Sequence, residues 1–272
     1  MNKLFFALFA TMLLLSACGK ENNDDNPPVR NDSSVQNDTA VHPSQDSNQD
    51  NTVNPPSTSA AGRSTYTKEL NAADIHSIEV SQHYTGNIFI KMEQNTDHIT
   101  ATLNNEEVNT ETAPELALST NSQTLIAEVR VPGDIDANSN RTDANPNDVK
   151  LNLTLIIPEK AYEHISLITQ SGNITVERLN TKTMEIKTDA GNLDMKQVST
   201  SQLNAESGAG DIFFQTDTPE SFTFLAGTGS GKLEMLGEVI EQTASSEPDH
   251  TIGSGANEAR LVTGAGTVRV YQ

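Results

Sequence analysis

The chain has 272 residues, only 35% of them hydrophobic and 4% aromatic, with no Trp, which argues against a compact globule built around large aromatics. A formal net charge of −20 at pH 7 repels phosphate backbones and anionic lipid surfaces, so nucleic acid is not an expected partner. The single cysteine excludes a disulfide within the chain.

The chain opens on MNKLFFALFATMLLLSACGK. Lys3 precedes an apolar run over 4–15, which has signal-peptide length and is short for a membrane span. Ser16 and Ala17 are small, and Cys18 follows them directly. This arrangement resembles the lipobox of bacterial lipoproteins; an ordinary signal peptide followed by a chance cysteine is the alternative. The resemblance implies cleavage before Cys18, acylation of its thiol, and a membrane partner reached through that lipid. Residues 1–17 are thus expected to be a lipoprotein signal peptide and the mature chain to be extracytoplasmic. Residues 18–63 are dominated by Asn, Asp, Ser, Thr, Gln and Pro. Such a composition buries too little apolar surface to offset ordering entropy, which predicts a lipid-anchored disordered tether.

Folded sequence is expected over 64–272. Apolar alternation predicts strands in IHSIEV (75–80), GNIFIKM (86–92), QTLIAEVRVP (123–132) and VKLNLTLIIP (149–158). The polar stretch 133–148 reads as a loop, and no segment of helical length carries a convincing 3.6-residue apolar stripe.

From about residue 160 one pattern recurs around Gly172, Gly191, Gly210, Gly231 and Gly266. The first steps are 19 residues, the next 21, the last 35. Two residues after each glycine stand Ile174, Leu193, Ile212, Leu233 and Val268; four after stand Val176, Met195, Phe214, Met235 and Val270. Five before stand Leu167, Ile186, Ala205, Ala226 and Leu261; seven before stand Ile165, Met184, Leu203, Phe224 and Ala259. Three before, the residue is Thr or Ser; one before, it is Ser or Ala. Apolar positions before and after the glycine have opposite parity, so the inward face is kept only if the chain bends there. Glycine permits the positive φ that such a corner needs. Asn173, Asn192 and Asp211 are expected to point outward at the corner. A period of 19–21 residues with identical columns predicts an all-β fold, a right-handed parallel β-solenoid of short strands with one repeat per coil. Leu179 and Val198 would plug the return segments. The 35-residue step would hold an acidic loop over 237–255, and YTGNIFI (84–90), which matches only after its glycine, would form a capping coil. An antiparallel sandwich is the alternative, and it does not explain the columns.

LNLTLIIP followed by repeats of S/A-G-N/D-I/L-x-V resembles the bacterial β-strand-repeat family of putative adhesins, a domain of unknown function. The match is close over 150–272 and loose over 66–132. It implies a β-helical fold and brings no ligand or catalytic residue with it.

The remaining chemistry is sparse. AGTGSGKLEM (226–235) has Ala226 where a phosphate loop starts with Gly and Leu233 where it needs a hydroxyl. Asp134, Asp136 and Asn138 have EF-hand-like spacing, but Ser139 replaces the turn glycine and Asn145 the bidentate Glu. His42, His76, His83, His98, His164 and His250 have no metal-ligand spacing. No cofactor is therefore expected. The outward carboxylates Glu185, Asp194, Glu206, Asp211 and Glu234 are scattered over columns, whereas polysaccharide-cleaving β-helices bring theirs together. The expectation is a non-enzymatic cell-envelope lipoprotein, with Cys18 as lipidation site and an envelope polymer or surface protein as partner. A β-helical polysaccharide-active enzyme is the alternative.

Overall fold

The computed structural model describes residues 57–58, 64–105, 114–130, 150–240 and 245–272. The chain divides into two units, 1–47 and 48–272, and all described residues belong to the second. Cys18, the signal segment, nearly all of the expected tether and the 134–145 loop lie outside the described residues.

Sequences that alternate apolar and polar side chains become strands here because each strand has one wet face and one dry face. The strands are β1 (Ser57–Thr58), β2 (Ser64–Asn71), β3 (Ser77–Thr85), β4 (Ile88–Glu93), β5 (His98–Asn105), β6 (Glu115–Asn121), β7 (Thr124–Arg130) and β8 (Leu151–Pro158). They continue with β9 (Tyr162–Ser171), β10 (Ile174–Ala190), β11 (Leu193–Ala209), β12 (Ile212–Gln215), β13 (Phe222–Met235), β14 (Glu238–Ile240), β15 (Ser245–Ile252) and β16 (Asn257–Tyr271). The fold is an all-β solenoid with three faces per coil. The face before each glycine stacks β7, β3, β9, the second halves of β10 and β11, and the first halves of β16 and β13, all parallel. The face after it stacks β8, β4, the first halves of β10 and β11, β12, and the second halves of β16 and β13, again parallel. The short third face pairs Leu179 with Val198 and Thr181 with Thr200.

Antiparallel strands close the ends. β5, β2 and β1 extend the second face beyond β8, and β6 lies on β7. At the other end β14 and β15 lie antiparallel on β13. These two strands occupy much of 237–255, so the expected acidic loop is an edge cover instead. They meet the backbone demand of a strand edge that would otherwise be open.

The apolar columns are the core. Ile174, Leu193, Ile212, Leu233 and Val268 are all fully buried, as are Leu167, Ile186, Ala205, Ala226 and Leu261. Leu179 and Val198 fill the return side as expected. Phe214, Phe222 and Phe224 form an aromatic cluster, with Phe214 edge-on to Phe222 at 5.6 Å between centroids. Such edge-to-face contacts add to simple burial.

Two features depart from a stack laid down in chain order. First, YTGNIFI is not a cap. Gly86 lies directly beside Gly172, and β7 and β8 lie beyond its coil. A register shift between Gln82 and Thr85 inserts one residue into β3. That bulge displaces Val80 and Ile78 from the columns counted back from the glycine, although they pair with Leu167 and Ile165. Second, the last repeat sits before the fourth. β16 pairs with β11 and β12 on one side and with β13 on the other, so the glycine order along the stack is 210, 266, 231. The segment after β12 climbs past the layer of β16 through a 3-10 turn at Pro219–Ser221 before entering β13. It spans two strand spacings, about 9–10 Å. The 21-residue step has two residues more than the regular 19, which supply that extra climb.

Candidate functional site

Glycines, hydroxyls and amides converge at the corner column. The five repeat glycines have φ between +143° and +154°. At Gly191 a Cβ would lie 2.0 Å from the Gly172 carbonyl oxygen, so both conformation and contact demand glycine. The close approach lets backbone groups pair from layer to layer. The N–H of Gly172 donates to the Ala190 carbonyl at 2.8 Å, and that of Gly191 to Ala209 at 2.8 Å.

Two side-chain ladders run along this corner. Thr188 donates its hydroxyl to the Gly172 carbonyl at 3.2 Å, Ser207 to Gly191 at 2.8 Å, Thr263 to Gly210 at 2.8 Å, and Thr228 to Gly266 at 2.9 Å. The Asn and Asp side chains do more than face outward. The Asn152 side-chain oxygen accepts the Asn87 N–H at 3.0 Å, Asn87 accepts that of Asn173 at 2.9 Å, and Asn173 that of Asn192 at 2.8 Å. Asn192 accepts the Asp211 N–H at 2.8 Å, and Asp211 that of Thr267 at 2.7 Å. The corner thus consumes its own polar groups. An interruption falls at the bulge, where Thr169 Oγ1 and Gln82 Oε1 are buried without a partner. Gln82 Nε2 there donates to the Leu151 carbonyl.

The outward carboxylates are separated and mostly engaged locally. Asp194 pairs with Lys196 at 2.8 Å. Glu206 lies between Lys187, at 3.8 Å, and Arg260. Glu234 meets Lys232 at 3.2 Å and Arg269 at 3.0 Å. Its carboxyl is held below the usual Glu range, first by the hydrogen bond from Lys232 and then by Arg269. The Lys196 ammonium is held above its usual value, first by its hydrogen bond to Asp194. Glu185 lies on the same outward column as Asn204, one layer away. Glu206 lies diagonally across from Glu185 on that outward face, and of the two Glu206 is the one held by cations.

His164 Nδ1 meets the Thr183 hydroxyl at 2.9 Å, and that hydroxyl donates to the Glu163 carbonyl at 3.1 Å. With its proton committed, the hydroxyl accepts from His164, which fixes the Nδ1–H form. Among the described residues no group of three His, Cys, Asp or Glu is placed to hold a metal ion. The glycines of AGTGSGKLEM lie inside β13, with no helix N-terminus behind them to cradle phosphate. No helix of the described residues is long and apolar enough to cross a membrane.

The two-layer climb after β12 opens a cleft of about 420 Å³ on the third face, lined among others by Arg178, Gln197, Thr200, Asp217, Phe222 and Asn257. Arg178 and Gln197 stand there in the left-handed region, at φ +52° and +53°. Sequence reasoning missed this cleft, the roles of Arg260 and Arg269, and the extension of the amide ladder to Asn87 and Asn152. The two surplus residues of the 21-residue step were the available signal for the cleft.

The family model described as Toastrack DUF4097 matches residues 75–218, over half of the chain. The chain belongs to that family. Among solved structures, a putative cell adhesion protein from Clostridium sporogenes ATCC 15579 superposes with a TM-score of 0.53 at 16% identity, covering 80% of this chain and 100% of that one. A putative adhesin from Bacteroides fragilis NCTC 9343 has a TM-score of 0.33 at 13% identity, covering 76% of this chain and 96% of that one. No curated protein matches the chain.

Proposed function

We propose that this Toastrack-family chain is a cell-envelope lipoprotein, anchored through Cys18, that acts by contact and not by turnover. The observation that carries the reading is that its outward acidic groups are engaged by neighbouring cations and amides. Asp194, Glu206 and Glu234 are each matched to cations of the same or adjacent strands, and Asp211 to a backbone amide. Catalysis needs such groups within reach of one reacting centre. What the solenoid offers is a hydrogen-bonded exterior on a net negative chain, suited to an extended partner such as a wall polymer or a neighbouring surface protein. The lipobox and the polar segment 18–63 would hold that surface outside the membrane.

Two measurements test the reading. Cys18→Ser in the full chain should abolish acylation by mass and release the protein from the detergent-extractable fraction; unchanged partitioning would remove the anchor from the proposal. The detergent-solubilised full chain should bind purified envelope polymer saturably at physiological salt and release no product. A defined product, lost on one carboxylate substitution, would favour the polysaccharide-active enzyme instead.

A further inference from the structure

We propose that β16 is an exchangeable strand, and that the partner it fits is a second copy of this chain. The β16 of one copy would fill the layer between β11/β12 and β13 of another. The out-of-order stack is the basis. β16 follows β11, β12 and β13 in the chain and fills the layer between them, so until it docks the strand edges on both sides of that layer are unpaired. Such edges recruit any strand whose columns fit.

The fit that this slot demands is specific. Ala259 and Leu261 enter the core columns, and the Thr263 hydroxyl reaches the Gly210 carbonyl at 2.8 Å. The Thr267 N–H ends the amide ladder on Asp211 at 2.7 Å. On one face Arg260 donates to Asn204 at 3.0 Å and pairs with Glu206. On the other, Arg269 lies 5.9 Å from the Phe213 ring centroid and 3.0 Å from Glu234. The strand therefore sets two guanidinium groups against Glu206 and Glu234 of the slot, whichever copy supplies it.

The competing occupant is β13, which carries Thr228, Gly231 and Leu233 in the same columns. It would place Leu225 where Arg260 stands and Glu234 where Arg269 stands, so both guanidinium contacts would be lost. Of the two, β16 alone meets every demand, and every copy carries one. The link from β15 is short, Gly253-Ser254-Gly255-Ala256, with Gly253 at φ +85°. Exchange preserves each contact of β16 and alters that link alone, the condition under which strand swapping costs little. The inference does not depend on the anchor.

Gln202 and Glu258 are exposed and in register across β11 and β16. In full chains carrying Cys18→Ser, one tagged chain would have Gln202→Cys and a second, untagged chain Glu258→Cys. The two would be unfolded together in detergent, refolded at increasing concentration, oxidised and separated without reductant. The expected result is a mixed 202–258 disulfide, mapped by mass, whose yield rises with concentration above that of a control mixture of Gln202→Cys with Thr175→Cys. A mixed yield no higher than the control at every concentration would overturn the proposal. So would a chain bearing both Gln202→Cys and Glu258→Cys that fails to close either within itself or between copies, because β16 would then not lie against β11.

Discussion

The coils around Gly172, Gly191 and Gly210 and the layers built from 216–271 use the same columns, yet they are assembled differently. In the first region each 19-residue step of sequence is one step of the stack. In the second, β16 is threaded between strands that precede it in the chain. The contrast teaches that column chemistry fixes which face a residue takes but not which layer its strand takes. A strand with Thr, Gly and apolar residues at the right offsets satisfies any layer equally. Layer order is decided by connection lengths and by the outward pairs, here Arg260 with Glu206 and Arg269 with Phe213.

The largest expected effect breaks the regular region at its corner. Gly191→Val would put a side chain 2.0 Å from the Gly172 carbonyl at a φ of +152°. It should cost about 4 kcal/mol or more, enough to prevent folding of a marginal domain. Gly237→Ala is the reference from the other region, with φ +86° and nothing within 4 Å. It should cost only about 1 kcal/mol, the conformational part alone. Urea midpoints measure both; similar midpoints would mean that the corner contact is not what demands glycine.

Next come the core columns. Ile212 and Val268 are Cα partners in adjacent layers and fully buried. Ile212→Ala should cost about 2–4 kcal/mol and Val268→Ala somewhat less, in proportion to the smaller volume removed. Both variants should unfold in one transition followed by far-ultraviolet circular dichroism. A separate early transition for Val268→Ala would show that the out-of-order layers form their own cooperative unit.

The buried hydroxyls are a smaller lever. Ser207→Ala in the regular region and Thr263→Val in the other each remove a donor from a corner glycine carbonyl. Each should cost about 1–2 kcal/mol by urea midpoint, the range for an acceptor left without its buried partner. A negligible effect at Thr263 alone would indicate that the Gly210 carbonyl is satisfied in another way.

The parts legible in the sequence were those governed by parity and burial. The columns at Leu193, Ile212 and Leu233 were readable because a strand bent at one glycine has only one inward set. The return plugs Leu179 and Val198 were readable for the same reason. The coil of Gly86 was hidden by a single inserted residue, which shifted Val80 and Ile78 out of the count. The position of β16 was hidden because β13 offers the same columns, and the two extra residues that betray the climb fall within the tolerance of a repeat. The amide ladder was half legible. Asn173, Asn192 and Asp211 stood in column, but a side-chain oxygen that faces solvent and one that accepts the next layer's N–H look alike in sequence. On the site side, the separation of Glu206 from Asp194 and Glu234 could be read from its column, whereas Asp194 and Glu234 share the column three residues after the glycine and are held apart only by the layers of Phe213 and Arg269. Lys196 and Lys232 engage them from their own strands, while Lys187, Arg260 and Arg269 depend on which layers are neighbours.

The smallest expected effect sharpens the comparison inside the out-of-order region, at Glu234 of β13 and Arg269 of β16. The Glu234 carboxyl titrates below the ordinary Glu range because Lys232 donates a hydrogen bond to it and Arg269 adds a second. A carboxyl depressed in the folded state contributes stability that is present above its unfolded pKa and lost as pH falls through the folded one. Because the side chain is still partly exposed, the effect on overall stability should be slight and should shrink with added salt. A site-resolved titration is the sensitive measurement. Lys232→Gln should raise the Glu234 midpoint towards the ordinary value, and Arg269→Gln should raise it by less, in keeping with the order of the causes. The second shift is the informative one, since Lys232 shares a strand with Glu234 whereas Arg269 reaches it only if β16 lies beside β13 in the observed register. A midpoint unmoved by Arg269→Gln would show that the register of the inserted strand is not the one described.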